Sequence, residues 1–186
     1  AHGPPTSPIR GHNQPTSGCP LFFQRVIVSR YARAMRDQPP ADIRMIDVGG
    51  KPVSLRTARA TARLAAAPET VARIRAGSLE KGDALAAARL AGIMAAKRTA
   101  EIVPLCHPLP LDAVEVVIDP SPADHVAIEA TVRATARTGV EMEALVAVTA
   151  AALAIYDMAK SIDPAMTVEA ARLEEKTGGV RGDYRR

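Results

Sequence analysis

Between Ala58 and Leu64 the chain alternates, with Ala58, Ala60, Ala62 and Leu64 on one side and Arg59, Thr61 and Arg63 on the other. A period of two places successive side chains on opposite faces, so this stretch predicts a half-buried β-strand. Pro68-Glu69-Thr70 then opens a short helix that runs to about Ala76 and stops at Gly77, with proline in its first turn and glycine just past its end. A longer helix is predicted from Gly82 or Asp83 to about Glu101, ending before Pro104. Two more alternating runs follow. Val114, Val116 and Ile118 form the first, and Val126, Ile128, Ala130 and Val132 form the second against Glu129, Thr131 and Arg133. The intervening Pro-Ser-Pro-Ala-Asp is turn chemistry, so the pair predicts a hairpin. After Gly139 an almost uncharged helix is expected from about Val140 to Ile162, broken at Pro164. A last strand is predicted near Thr167 to Leu173, before a glycine-rich end.

This order, βα(α)ββαβ, is the split βαβ plan. It predicts an α+β, ferredoxin-like βαββαβ domain, with an antiparallel sheet and helices packed on one face. The plan hosts many unrelated functions and decides no chemistry. Its other sheet face is left bare, which invites oligomerisation. Residues 1–20 are dominated by Pro, Gly, Ser, His and Asn, and the basic stretch up to Pro39-Pro40 is only loosely amphipathic. We therefore read 1–44 as a flexible or targeting leader and 45–186 as the catalytic domain.

Composition narrows the function classes. Aromatics make up 3% and tryptophan is absent, so Ala, Val, Leu and Ile must build the core. The net charge of +4 belongs to the leader: its six arginines outweigh Asp37 and Asp42 by four, which leaves 18 basic and 18 acidic residues, a net of zero, from 45 onward. A nucleic-acid module carries its excess charge in the folded part, beside aromatics, so no nucleic-acid partner is expected. The best apolar runs, 82–96 and 144–156, are short and end in charges. No membrane span is therefore expected. Cys19 and Cys106 make neither a disulfide framework nor a metal cluster, so a reducing, intracellular compartment is expected.

The candidate chemistry is dispersed. Asp157 follows the uncharged run Ala144–Tyr156, and Lys160 follows one turn later. Burial would raise the carboxyl's pKa and the lysine would lower it, which is how a proton-transfer group is tuned and equally how a structural ion pair is built. His107 lies in Leu105-Cys106-His107-Pro108, stiffened by Pro104 and Pro108, whereas His2, His12 and His125 have no such setting. Glu141 and Glu143 open the apolar helix, where the dipole favours acids in any case. Lys81 stands at the mouth of the long helix, where a bound phosphate would offset its clash with the dipole. Lys97-Arg98 reads as solvated surface, and the end segment Lys176-Thr177-Gly178-Gly179-Val180-Arg181-Gly182 as a loop able to grip phosphate. No HExxH, CxxC, GxSxG, GxGxxG or Walker pattern occurs.

Six segments in colinear order carry a resemblance. They are Met45-Ile46-Asp47-Val48, Lys81-Gly82-Asp83, Ala91–Thr99, Ile102–Pro108, Thr138–Ala144 and Ile155-Tyr156-Asp157-Met158. Together they resemble the molybdenum cofactor biosynthesis protein C family, the cyclic pyranopterin monophosphate synthases. The resemblance implies a cytosolic homohexamer, a trimer of dimers, with its active site at a subunit interface. Its implied substrate is 3′,8-cyclo-7,8-dihydro-GTP from an upstream radical enzyme, converted with release of pyrophosphate. No redox cofactor is implied, and Mg²⁺ could accompany the triphosphate. Asp157 then corresponds to the catalytic acid–base residue, Lys160 to its essential neighbour and Lys81 to an essential lysine. Leu105, Cys106, His107, Met142, Glu143 and Glu141 correspond to substrate contacts, with Arg56 and Lys176 toward the triphosphate. One departure stands out: the family's basic residue after Gly-Gly is Val180 here, and Arg181 follows it. A non-catalytic binder of nucleotide or pterin is the competing reading, and an RNA-binding module is disfavoured by the neutral body.

Overall fold

The computed structural model describes residues 43–186; residues 1–42, and with them almost all of the expected leader, lie outside the described part. Among the described residues, five strands and four helices are arranged as β1 (Ser54–Ala65), α1 (Pro68–Arg75), α2 (Ala84–Ala96), α3 (Thr99–Ile102), β2 (Ala113–Asp119), β3 (His125–Ala136), α4 (Glu141–Ala159), β4 (Thr167–Thr177) and β5 (Tyr184–Arg185). The antiparallel sheet has the order β2-β3-β1-β4-β5. Its first four strands follow the expected ferredoxin-like plan, and β5 is an addition at the β4 edge.

The alternation in β1 does what its period requires. Arg56, Ala58, Ala60, Ala62 and Leu64 are buried, and across the ladder Ala60 faces Ala130 and Leu64 faces Val126. α4 lies over β1, β3 and β4 while α2 covers β2, so both long helices share one face of the sheet. Where they meet, Gly92 abuts Ala147: a Cβ at Gly92 would sit 3.0 Å from the Ala147 carbonyl oxygen and 3.2 Å from a Val116 methyl. Small residues therefore let the two helices approach closely, and the alanine-rich core follows from that.

Three boundaries differ from expectation. The long helix stops at Ala96, turns at Lys97-Arg98 and resumes as the short α3, whose Thr99 hydroxyl donates to the Ala96 carbonyl at 2.9 Å. β4 extends to Thr177 because β1 offers it pairing partners as far as Thr57. The glycine-rich end folds back as β5 onto Glu175 and Lys176, a pairing with no hydrophobic signature.

The open sheet face is a ladder of charges: Arg59 lies between Glu129 and Glu175, Arg63 lies between Asp124 and Glu169, and the Thr61 hydroxyl donates to Glu174. Exposed apolar side chains are found on the sheet, at Leu55 of β1 and Val117 of β2, and also on the helices and the segment approaching β1, with Leu90 62% and Leu153 54% exposed and Met45, Ile46 and Val53 also in the open. The expectation that no apolar run is long enough to cross a bilayer is corrected by α4. The apolar run near 144–156 belongs to a 19-residue helix, which by length and composition could span a bilayer. Here it packs on the sheet along one side.

Candidate active site

The N-terminal end of α4 borders a cavity of about 490 Å³, within the range of small-molecule sites. All eight residues expected to contact substrate line it: Arg56, Leu105, Cys106, His107, Glu141, Met142, Glu143 and Lys176. Different elements deliver them. The stiff segment after α3 brings Leu105 to His107, with the Cys106 amide donating to the Val103 carbonyl at 3.0 Å. The first turn of α4 brings Glu141, Met142 and Glu143, and β4 brings Lys176. The glycines from Gly178 to Gly182 close one wall.

Three cations of this lining, Arg44, Lys51 and Arg137, were not expected there, and Arg181 was named only within the glycine-rich phosphate-gripping end. Arg44 had been assigned to the leader. Lys51 is delivered by a turn in which Asp47 accepts the Gly49 N–H at 2.7 Å and the Lys51 N–H donates to the Val48 carbonyl at 3.0 Å; the Gly49-Gly50 pair was its available signal. Arg181 lines the cavity beside Val180, so the basic residue displaced by one place still reaches the wall. Six lysines and arginines thus face two carboxylates, a lining suited to a polyanion.

The two carboxylates differ. Glu141 accepts from Lys176 at 2.8 Å and is partly exposed. Glu143 is 4% exposed, and burial pushes its carboxyl up, with the neighbouring Glu141 adding to the rise and its own backbone amide opposing it. Burial, with Glu143 nearby, also pushes the Cys106 thiol up, so Cys106 stays a thiol near neutral pH. A carboxyl raised in the folded state costs stability once pH exceeds its unfolded value. Glu143→Gln is therefore expected to melt at the same temperature as the native chain at pH 4 and above it at pH 8. Thermal scans across that range check the sign.

Arg56 is 5% exposed, and two of its five donors are committed: Nε gives to the Ala136 carbonyl at 3.2 Å and Nη2 to the Arg137 carbonyl at 3.4 Å. A second hollow of about 420 Å³ lies beyond His107 and Glu143, bordered by Lys97, Arg98 and Thr99.

Asp157, Lys81 and Lys160 gather elsewhere, at the C-terminal end of α4. Asp157 Oδ1 meets Lys160 Nζ at 2.8 Å, Oδ2 meets Lys81 Nζ at 2.8 Å, and Lys81 also donates to the Asp157 carbonyl at 2.9 Å. The expectation that Asp157 is buried is wrong, since its side chain is 56% exposed. Helical phase explains this. Ala144, Ala147, Val148, Ala151, Ala152, Ile155 and Ala159 form the buried stripe, and Asp157, two residues from either of the last two, points the other way. Its pKa is lowered to about 2, chiefly by the hydrogen bonds from Lys160 and Lys81. Lys160 in turn is raised by the same carboxylate.

Fourteen residues of α4 separate Glu143 from Asp157, about 21 Å at 1.5 Å per residue. One chain therefore presents two separate clusters at opposite ends of one helix.

Comparison with known proteins gives consistent results. The MoaC family matches residues 45–179. A cyclic pyranopterin monophosphate synthase 3 of Mycobacterium bovis is 56% identical over 143 residues, covering 77% of this chain and 81% of that protein. A cyclic pyranopterin monophosphate synthase of Herpetosiphon aurantiacus is 56% identical over 141 residues, 75% of this chain and 86% of the other. One of Brevibacillus brevis is 50% identical over 143 residues, with 77% and 89% covered.

Proposed function

Because the chain belongs to the MoaC family, we propose that it is a cyclic pyranopterin monophosphate synthase of molybdenum cofactor biosynthesis, a soluble lyase acting in the cytoplasm. Its substrate is 3′,8-cyclo-7,8-dihydro-GTP. The purine-derived ring is opened and rebuilt as a pyranopterin, a sugar hydroxyl attacks the α-phosphorus, and pyrophosphate leaves. The observation that carries this reading is the cavity at the head of α4, where six lysines and arginines outnumber two carboxylates. Such a lining neutralises a triphosphate while charge shifts onto the leaving pyrophosphate.

Arg44, Lys51, Arg137, Lys176 and Arg181 hold the phosphates, and His107, Met142 and Glu143 orient the ring. Lys176 is released from Glu141 when phosphate takes its ammonium. Asp157, Lys160 and Lys81 handle protons. With Asp157 a firm carboxylate bridged by two ammonium groups, the transferable protons reside on Lys160 and Lys81, and Asp157 holds both lysines in place.

The two clusters are half-sites that must touch one substrate, so they come from two chains. A homohexamer of dimers in threes supplies that arrangement, and the apolar side chains left open on α2 and α4 are the surface available for it. The purified protein, given the cyclic GTP-derived precursor, is expected to release pyrophosphate in step with a product that becomes a fluorescent pterin on oxidation. Tight binding of precursor without either signal would replace this reading with that of a non-catalytic binder.

A further inference from the structure

The loop Gly178–Gly182 forms a wall of the cavity and has few side chains of its own to fix it. Gly178, Gly179 and Gly182 all adopt positive φ, at 82°, 104° and 76°, so the loop is left with unusual conformational freedom to lose. Besides the β4–β5 pairing at its base and a Gly182 N–H donated to the Gly179 carbonyl at 3.3 Å, two side chains constrain it. Asp183 Oδ1 accepts the Gly178 N–H at 3.0 Å and closes the loop across its base. On the opposite side Arg56 lies against it: a Cβ at Gly179 would run into Arg56 Nη1, and one at Gly178 into the Leu55 carbonyl oxygen.

Arg56 at the same time binds the carbonyls of Ala136 and Arg137, where β3 gives way to the segment that becomes the head of α4. One buried guanidinium therefore spans two walls of the cavity. A planar fork of fixed donors suits this task, which a lysine's point charge cannot perform. Asp183 is exposed and is not part of the cavity lining, so any influence it has on substrate passes through the loop.

We propose that Asp183 and Arg56 are positioning residues that clamp the Gly178–Gly182 loop in register with the rest of the cavity, so that it meets the substrate's triphosphate already formed. This rests on the function proposed above. A loop ordered in advance spares the ordering cost at binding, and an interaction made equally in ground and transition states appears in KM and leaves kcat alone.

Asp183→Ala is therefore expected to raise KM for the cyclic precursor about tenfold while kcat stays within about twofold. Asp183→Asn keeps the acceptor oxygen and is expected to restore the native KM. Without substrate, hydrogen exchange at the Gly178 amide should accelerate in Asp183→Ala and return to the native rate in Asp183→Asn. Arg56→Lys, at a residue that also lines the cavity, should likewise accelerate exchange at the Gly178 amide, and combined with Asp183→Ala the two accelerations should fall short of multiplying, since both act through one loop. An unchanged KM in Asp183→Ala, or Asp183→Asn behaving like Asp183→Ala, would overturn the clamp, as would unaltered exchange at Gly178. Absence of turnover in the native protein would instead overturn the proposed function, while the exchange measurement would still judge the clamp.

Discussion

Lys160→Ala is expected to lower kcat on the cyclic precursor by about a thousandfold, because it removes a proton donor and half of the pairing at Asp157. The fold should survive, since Lys160 and Asp157 are both about half exposed and rest on no core contact. Asp157→Asn, nearly the same shape, should be about as inactive. It keeps an oxygen but no charge, so neither Lys81 nor Lys160 is held as before. The pH profile separates the roles. Asp157 lies at about 2, below its unfolded value, so its contribution to stability is complete above about pH 4. That contribution fades only as pH falls toward 2. Any acid limb of the rate profile between pH 5 and 7 must therefore belong to another group, and kcat measured across that range in native protein and Lys160→Ala tests the assignment. Near-native turnover by Lys160→Ala would remove it from the chemistry.

The second large effect is a recovery. His107→Ala breaks the half-site at the head of α4 and Lys160→Ala the one at its foot, and each variant alone should be nearly inactive. Unfolded together and refolded as mixed oligomers, they should regain activity at about a quarter of the sites, those built from one intact half of each chain. The reason is the rod between them: about 21 Å of helix cannot bend to bring Glu143 and Asp157 onto one small molecule. Mixtures no more active than the separate variants would place the whole site within a single chain.

Much of this was legible in the sequence. Period-two runs gave β1, β2 and β3, and glycine and proline gave the limits of α1, because those signals are local. Six of the eight cavity residues lie in the colinear motifs and were legible only through them, since nothing in the spacing of His107 and Glu143 announces that they meet; Arg56 and Lys176 lie outside those motifs. The exposure of Asp157 was misread because an uncharged run was taken for burial on every side, although the 3.6-residue phase from Ala151 to Ala159 already set Asp157 opposite the stripe. β5 was not legible at all: a two-residue strand held by backbone pairing leaves no pattern of side chains. The break at Lys97-Arg98 escaped for a different reason, because every residue there is compatible with helix and the Thr99 hydroxyl that donates to the Ala96 carbonyl leaves no periodic signal.

The position of β1 at the centre of the sheet bears on how the chain is made. Its partners, β3 and β4, begin 71 and 113 residues after Ser54, and of the sheet's pairings only β2–β3 and the short β4–β5 are sequence-local, so contacts of long range dominate and folding is expected to be slow. During synthesis, one flank of β1 stays an open edge until Thr167–Thr177 has left the ribosome. An unpaired edge of alternating Ala and Leu would recruit other nascent chains, and the arginines Arg59 and Arg63, paired with acids in the finished sheet, are the charges that discourage such encounters in the interval.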